Sequence, residues 1–161
     1  MESSLPSTFT KHTLTSATRV LLADDDPDMR AYVASPLRRL GYQVIEVSDG
    51  TELLEYLHSR FRSQRAPRRN LLAPCLMIVD IKMPGCDGLS VVTSMRRWGW
   101  NIPVILISAV NDDFVYQEAS RLRVSAYFQK PFDVHQLCTS VEAMLAEVNV
   151  PEAPVPLPSV D

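Results

Sequence analysis

Asp80 stands where an apolar run ends and a turn begins. The run covers residues 75–79, and the turn contains Pro84 and Gly85. A buried strand that ends in a carboxylate and opens into a Pro/Gly turn presents that carboxylate at the edge of a sheet, facing a crevice. One such aspartate is a weak indication of a site, so the side chains at the other strand ends decide how much it means.

Three other apolar runs end in side chains that could act together with Asp80. These are Asp24 and Asp25, Ser108, and Lys130. Carboxylates brought to one point repel each other unless a cation is bound. Mg²⁺ is the natural candidate, because it is a hard ion held by carboxylates, water and phosphate oxygens. An ammonium and a small hydroxyl could then contact phosphoryl oxygens, so these strand ends predict a site for Mg²⁺ and a phosphoryl group.

Each of these residues also has an ordinary structural interpretation. Residues 24–26 could cap a helix on a solvated loop, Ser108 alone is a strand-end serine, and Lys130 alone is a surface lysine. Because such side chains occur at four strand ends, the site for Mg²⁺ and a phosphoryl group is favoured over these interpretations. Only Asp26 keeps the role of a helix cap. Asp80 could be a metal ligand or a nucleophile that accepts a phosphoryl group. A proline follows Lys130, so a cis peptide bond is an option there.

The apolar runs are continuous rather than alternating, which is typical of a parallel sheet covered on both faces. One further run alternates in part and predicts a strand nearer an edge. Helical patterns lie between the runs, so the order is a strand and a helix repeated five times. Right-handed crossovers then give a doubly wound α/β sheet with helices on both faces. The predicted strands are residues 20–23, 42–47 (the alternating one), 76–79, 104–107 and 126–128.

Local sequence signals set the limits of the first helix. Asp26 and Pro27 predict its start and Gly41 its end. The apolar face of this helix extends to Leu40. Pro36 violates the pattern, because proline lacks an N–H and clashes with the preceding turn, so we expect a kink or an early break there.

The other four helices are predicted between the remaining apolar runs and after the last of them. The second is predicted to start near Asp49, with Glu52 as its capping-box partner. The third is expected at residues 89–98, the fourth from about Asp112, and the fifth after Asp133.

The composition indicates one ordinary soluble domain. The chain has 161 residues, of which 46% are hydrophobic and 22% charged, which is enough for a buried core. A net charge of −3 gives no indication of a nucleic-acid binder. No apolar run approaches the roughly 20 residues that a membrane span needs. The three cysteines have no metal-ligand spacing, and the N-terminus lacks an apolar signal segment, which together favour a reduced, cytoplasmic setting.

Three segments are expected to lie outside the core. Residues 1–18 are interpreted as a flexible N-terminal extension, 19–148 as the domain, and 149–161 as a Pro-rich tail or linker. Residues 60–73 contain five arginines and are predicted to form a long surface loop before the third strand. A solvated loop is the favoured interpretation of that segment, over a surface for nucleic acid or an acidic partner.

The strand-end residues, taken with their neighbours, resemble the receiver domain of two-component response regulators. The matching segments are Asp24-Asp25, Asp80 with Met83-Pro84-Gly85, Ser108-Ala109, and Lys130-Pro131-Phe132. The resemblance covers about residues 19–148. It implies a flavodoxin-like (βα)5 fold, with a doubly wound, parallel, five-stranded sheet, that takes a phosphoryl group from a histidine kinase or a phosphotransfer protein.

The resemblance also implies which residues hold the metal. Asp80 is the phosphoryl acceptor, and Asp24 and Asp25 bind Mg²⁺ together with it. The backbone carbonyl of Lys82 is a further ligand. The side chain of Lys82 places a cation two residues after the acceptor, where it is expected to change the lifetime of the phosphoryl group.

Three further positions match the residues that sense the phosphoryl group. Ser108 and Lys130 are implied to contact its oxygens. Tyr127 matches the aromatic switch position, and it is expected to turn inward when Ser108 is drawn to the phosphoryl group. That movement would remodel the surface of the fourth helix, fifth strand and fifth helix and so change the binding of an output protein.

Other functions are weighed against this switch. One is a pseudo-receiver that binds partners without being phosphorylated. Another is a phosphohydrolase with an aspartyl nucleophile, but Lys82 stands where such enzymes usually place an acid. We therefore expect a cytoplasmic, non-enzymatic signalling module that contacts neither nucleic acid nor membrane. A homodimer through the fourth-helix face is a further expectation, and the sequence does not name the kinase or the output partner.

Overall fold

Five parallel strands form a single sheet in the computed structural model, which describes residues 18–63 and 73–148. The sheet order is β2-β1-β3-β4-β5, and every neighbouring pair is parallel. The α/β flavodoxin-like fold is therefore confirmed, and the predicted edge strand lies at an edge. The strands are β1 (Arg19–Ala23), β2 (Gln43–Val47), β3 (Leu76–Asp80), β4 (Val104–Ser108) and β5 (Ala126–Gln129).

Five helices alternate with the strands and cover both faces of the sheet. They are α1 (Pro27–Arg39), α2 (Gly50–Ser63), α3 (Gly88–Arg97), α4 (Asp113–Arg121) and α5 (Val134–Val148). Apolar side chains of α1 and α5 pack on one face, and those of α2, α3 and α4 pack on the other. Strands β3 and β4 are buried throughout. Continuous apolar runs are therefore needed, because successive side chains point to opposite faces and both faces are covered.

An aspartate stands immediately before each of the five helices. Each carboxylate accepts a hydrogen bond from a backbone amide in the first helical turn, at 2.8 to 3.0 Å. Because the first amides of a helix have no partner inside it, an aspartate cap satisfies one of them and complements the positive end of the helix dipole. The capping residues are Asp26, Asp49, Asp87, Asp112 and Asp133.

The expected early break at Pro36 is wrong. Helix α1 continues through Pro36 to Arg39. Pro36 lies in the last turn of α1. Its missing N–H therefore removes one backbone hydrogen bond close to the C-terminal end, and only three helical residues follow it. Leu40, predicted on the apolar face, is instead the C-cap residue and 46% exposed.

The predicted start of the arginine-rich loop at residue 60 is wrong, because α2 continues to Ser63. Arg60 and Arg62 lie in the last turn of α2, where positive charge complements the negative end of the helix. Phe61 stacks on Trp98 with ring centroids 5.7 Å apart, which anchors this turn to the end of α3. The rest of the predicted loop, residues 64–72, lies outside the described residues.

The two termini cannot be compared with their predictions, because residues 1–17 and 149–161 also lie outside the described residues. Within the described part of the chain, no helix has the length and apolar character needed to cross a membrane.

The loop between β3 and α3 is packed against the start of α2. The amide of Gly50 donates a hydrogen bond to the carbonyl of Pro84 at 3.0 Å. A Cβ added at Gly50 would lie 1.6 Å from the carbonyl oxygen of Cys86. A Cβ at Gly88 would lie 2.3 Å from the carbonyl oxygen of Asp80. These glycines therefore allow the backbone after Asp80 to approach α2 and α3 closely.

We expect Gly50→Ala to lower the free energy of unfolding by about 2 kcal/mol or more, because the added methyl group forces the backbone at Cys86 to move. Urea denaturation measures this change. Glu55→Ala, an exposed position in the same helix, is the matched control and should change stability little. Equal stability of Gly50→Ala and the control would show that the loop moves away without cost.

Candidate functional site

Three carboxylates meet at the carboxyl edge of the sheet. Asp24 follows β1 and is 0% exposed, and Asp80 ends β3 and is 5% exposed. Asp25 is exposed beside them, and one carboxylate oxygen from each of the three lies within 4.8 Å of the others. The site lies between β1 and β3, where the strand order reverses, and ligands of such sheets bind at this position.

Lys130 joins the two buried carboxylates. Its Nζ lies 3.0 Å from Oδ2 of Asp24 and 3.1 Å from Oδ2 of Asp80. Burial lowers the pKa of Lys130, but its contacts with Asp24 and Asp80 outweigh that effect and hold the pKa above its ordinary value. Lys130 is therefore a fixed positive charge in the site and not the ordinary surface lysine that its sequence position alone would suggest.

The electrostatics of Asp80 disfavour a bare negative charge. Burial raises the pKa of its carboxyl group, and the nearby carboxylate of Asp24 raises it further. Lys130 and the backbone amide of Lys82, 3.4 Å from Oδ1 of Asp80, oppose the rise without cancelling it. More positive charge at this point would stabilise the ionised form of Asp80.

The donor set fits a hard divalent cation. All three candidate side-chain ligands are carboxylates, and Mg²⁺ is bound in proteins through such oxygens. Three carboxylates and one ammonium leave a formal charge of −2, which a divalent ion would neutralise. The fourth predicted ligand, the backbone carbonyl of Lys82, remains a prediction.

Two hydrogen bonds hold the loop of Asp24 and Asp25 against the start of α1. The amide of Asp26 donates to Oδ1 of Asp24 at 2.9 Å, and a guanidinium N–H of Arg30 donates to the carbonyl of Asp24 at 2.7 Å. Arg30 was not among the residues predicted from the sequence. Arg30 lies four residues after the cap residue Asp26, which is about one helical turn. That spacing could have indicated that its side chain reaches back to the acidic loop.

Ser108 lies next to Asp80 in the sheet. It is fully buried at the end of β4, one residue beyond Ile107, which pairs with Asp80. Its Oγ accepts a hydrogen bond from the amide of Val110 at 3.0 Å. The main chain of Ser108 also accepts the amide of Lys130 at 2.8 Å, so β4 positions both residues at the site.

The side chain of Tyr127 is linked to the same loop. Its hydroxyl donates to the carbonyl of Val110, and its ring lies 4.6 Å from the ring of Tyr116 on α4. Burial raises the pKa of Tyr127. Val110 therefore bonds Ser108 through its amide and Tyr127 through its carbonyl, which connects the predicted phosphoryl contact to the predicted switch by two hydrogen bonds.

The chain matches the family model of the response regulator receiver domain over residues 20–142. The transcriptional regulatory protein PrrA of Mycobacterium bovis is 36% identical over 130 residues, which are 79% of this chain and 49% of that protein. The chain thus spans about half the length of this relative. The sporulation initiation phosphotransferase F of Bacillus subtilis is 26% identical, over 79% of this chain and 93% of its own length.

Solved structures show the same fold. The receiver domain of the Francisella response regulator 1452 superposes with a TM-score of 0.70 at 23% identity, covering 82% of this chain and 99% of its own. The chemotaxis protein CheY4 of Vibrio cholerae superposes with a TM-score of 0.62 at 23% identity, covering 80% of this chain and 98% of its own. The family match and the strand-end residues agree, and the chain belongs to the response regulator receiver domains of two-component signalling systems.

Proposed function

We propose that this chain is switched by phosphorylation of Asp80. The observation that carries the proposal is the buried Asp80 carboxylate, which lies with Asp24 and Asp25 at the sheet edge and contacts Lys130 at 3.1 Å. Domains of this family interact with histidine kinases or phosphotransfer proteins and with output domains. A histidine kinase or phosphotransfer protein is therefore the proposed phosphoryl donor.

The proposed chemistry transfers a phosphoryl group to a carboxylate. A carboxylate oxygen of Asp80 attacks phosphorus while the bond from phosphorus to the donor nitrogen breaks, and the donor leaves in line. Mg²⁺, held by Asp24, Asp25, Asp80 and the carbonyl of Lys82, would neutralise charge on the phosphoryl oxygens. Lys130 supplies a positive charge at the same oxygens, and it is already in place beside Asp80.

The proposed switch uses the hydrogen bonds of Val110. When the hydroxyl of Ser108 turns to a phosphoryl oxygen, the amide of Val110 loses its acceptor. The same residue accepts the hydroxyl of Tyr127, so the change reaches β5 and the Tyr116 ring. Phe114, 63% exposed on α4, adds apolar surface to this face. We propose this face as the surface for the output protein and for any homodimer.

The alternatives have less support. Lys82 is exposed at the position where a phosphohydrolase would place its leaving-group acid, so the chain is proposed to be a signalling module that catalyses only its own phosphorylation and dephosphorylation. A pseudo-receiver is not phosphorylated, so it does not require an ammonium such as that of Lys130 held between two buried carboxylates. The proposed setting is the cytoplasm, which is consistent with the response regulators that the chain resembles, and neither nucleic acid nor membrane is a proposed partner.

We expect the wild-type chain to gain one phosphoryl group from acetyl phosphate in the presence of Mg²⁺, as read by intact mass. Asp80→Asn should gain none, because an amide oxygen is a poor nucleophile, and chelation of Mg²⁺ by EDTA should abolish uptake in the wild type. Asp113→Asn, which alters an exposed acid on α4, is the matched control and should behave as wild type. A folded wild-type chain that takes up no phosphoryl group would instead favour the pseudo-receiver.

A second expectation concerns the lifetime of the phosphorylated chain. Lys82 is exposed, and its backbone amide lies 3.4 Å from Oδ1 of the acceptor, so we expect Lys82→Ala to speed dephosphorylation at least about twofold by opening the site to water. Intact mass after removal of the donor measures the rate. Lys82→Met keeps a long side chain without its charge and separates water access from electrostatics. The control is Arg97→Ala, an exposed cation at the far end of α3. An unchanged rate in Lys82→Ala would contradict the role of this side chain.

A further inference from the structure

Tyr32 of α1 connects the helix that begins at the acidic loop to the loop that follows Lys130. Its hydroxyl donates to the carbonyl of Phe132 at 3.2 Å and accepts the amide of Val134 at 3.3 Å. One hydroxyl therefore bonds the backbone on both sides of Asp133, the residue that caps α5. The distance along the chain between Tyr32 and these partners is 100 and 102 residues, so the contact is a tertiary one.

Aromatic packing supports the same contact. The ring of Tyr32 lies 6.0 Å from the ring of Phe132, which in turn lies 5.8 Å from the ring of Phe128 on β5. The tilted geometry is one that aromatic pairs prefer. Ring packing would survive the loss of the hydroxyl, whereas the two hydrogen bonds would not, so Tyr32→Phe separates the two contributions.

The loop held by Tyr32 begins at Lys130. At its near end, the amide of Lys130 is bonded to the carbonyl of Ser108 at 2.8 Å. At its far end, the backbone is bonded to Tyr32. Only Pro131 lies between Lys130 and Phe132, whose carbonyl Tyr32 binds, so the side chain of Lys130 reaches Asp80 from a loop that is fixed at both ends.

We propose that Tyr32 is a positioning residue for Lys130, and that its hydroxyl keeps the Lys130 ammonium aimed at the phosphoryl site. The inference rests on the proposed phosphorylation of Asp80. Tyr32 is 44% exposed and does not contact the carboxylates itself, so a direct chemical role is not part of the proposal. Helix α1 thus follows the loop that carries Asp24 and Asp25, and its Tyr32 holds the loop that carries Lys130.

The first test compares wild type with Tyr32→Phe in phosphorylation by acetyl phosphate at saturating Mg²⁺. We expect the variant to be about three- to tenfold slower, the size of effect that the loss of one or two partly exposed hydrogen bonds produces. Its affinity for Mg²⁺ is measured separately, because Lys130 contacts two of the proposed ligands, and saturation keeps any change in affinity out of the rate. Tyr42→Phe, which removes a hydroxyl just beyond the other end of α1, is the control and should match wild type in both measurements.

Hydrogen exchange gives a readout that does not depend on activity. The peptide that contains Val134 should exchange faster in Tyr32→Phe than in wild type, because its amide loses an acceptor, while the core of β3 should be unaffected. Exchange that is unchanged in this peptide would overturn the proposal.

A double variant tests whether the effect acts through the lysine. In the Lys130→Ala background, we expect Tyr32→Phe to have no further effect on the slow phosphorylation rate, followed over hours by intact mass. A full additional loss there would show that Tyr32 acts in another way and would sink the proposal. If the Lys130→Ala chains take up nothing, the hydrogen-exchange result decides. Absence of phosphorylation in wild type would instead refute the proposed function and leave the hydrogen-exchange test of the Tyr32 contact standing.

Discussion

The contact of one ammonium with two buried carboxylates is the interaction on which the site depends. Without Lys130, Asp24 and Asp80 would face each other at the sheet edge with little water to solvate them, and burial of unpaired like charges is strongly unfavourable. Lys130 offsets the repulsion, but one positive charge among three carboxylates leaves a formal charge of −2. The folded chain therefore holds a fixed excess of negative charge at the carboxyl edge of the sheet.

The contact between Lys130 and the two carboxylates requires several secondary-structure elements to be positioned together. The two buried carboxylates come from β1 and β3, which are adjacent, whereas Lys130 comes from the end of β5 at the sheet edge. The ammonium of Lys130 nevertheless lies 3.0 Å from an oxygen of Asp24 and 3.1 Å from an oxygen of Asp80. The backbone that carries Lys130 is bonded on both sides, to Ser108 of β4 and to the tyrosine of α1.

Much of this arrangement could be predicted from the sequence. Continuous apolar runs indicate strands covered on both faces, and parallel strands bring their carboxyl ends to one edge, so Asp24, Asp80, Ser108 and Lys130 could be placed together before any coordinates were known. Aspartates before helices likewise indicated where the helices begin. These signals are local, and the folded chain satisfies them without competition.

The features that could not be predicted depend on tertiary packing. Pro36 is an exception, because the nearby end of its own helix is what tolerates it. The last turn of α2 is anchored by Phe61, which stacks on Trp98, a residue 37 positions away in the chain. The reach of Tyr32 to Phe132 depends on how α1 packs beside α5. No periodicity in the sequence encodes such crossings.

The position of β5 at the rim of the sheet has a mechanical consequence. Its backbone is paired with β4 alone, so a displacement of β5 would break one ladder of hydrogen bonds, whereas a displacement of β3 would break two. The strand is four residues long and none of them is fully buried. The aromatic residue of the proposed switch thus lies on one of the two edge strands, whose displacement breaks the fewest hydrogen bonds, and the proposed phosphoryl acceptor lies on a strand that is paired on both sides.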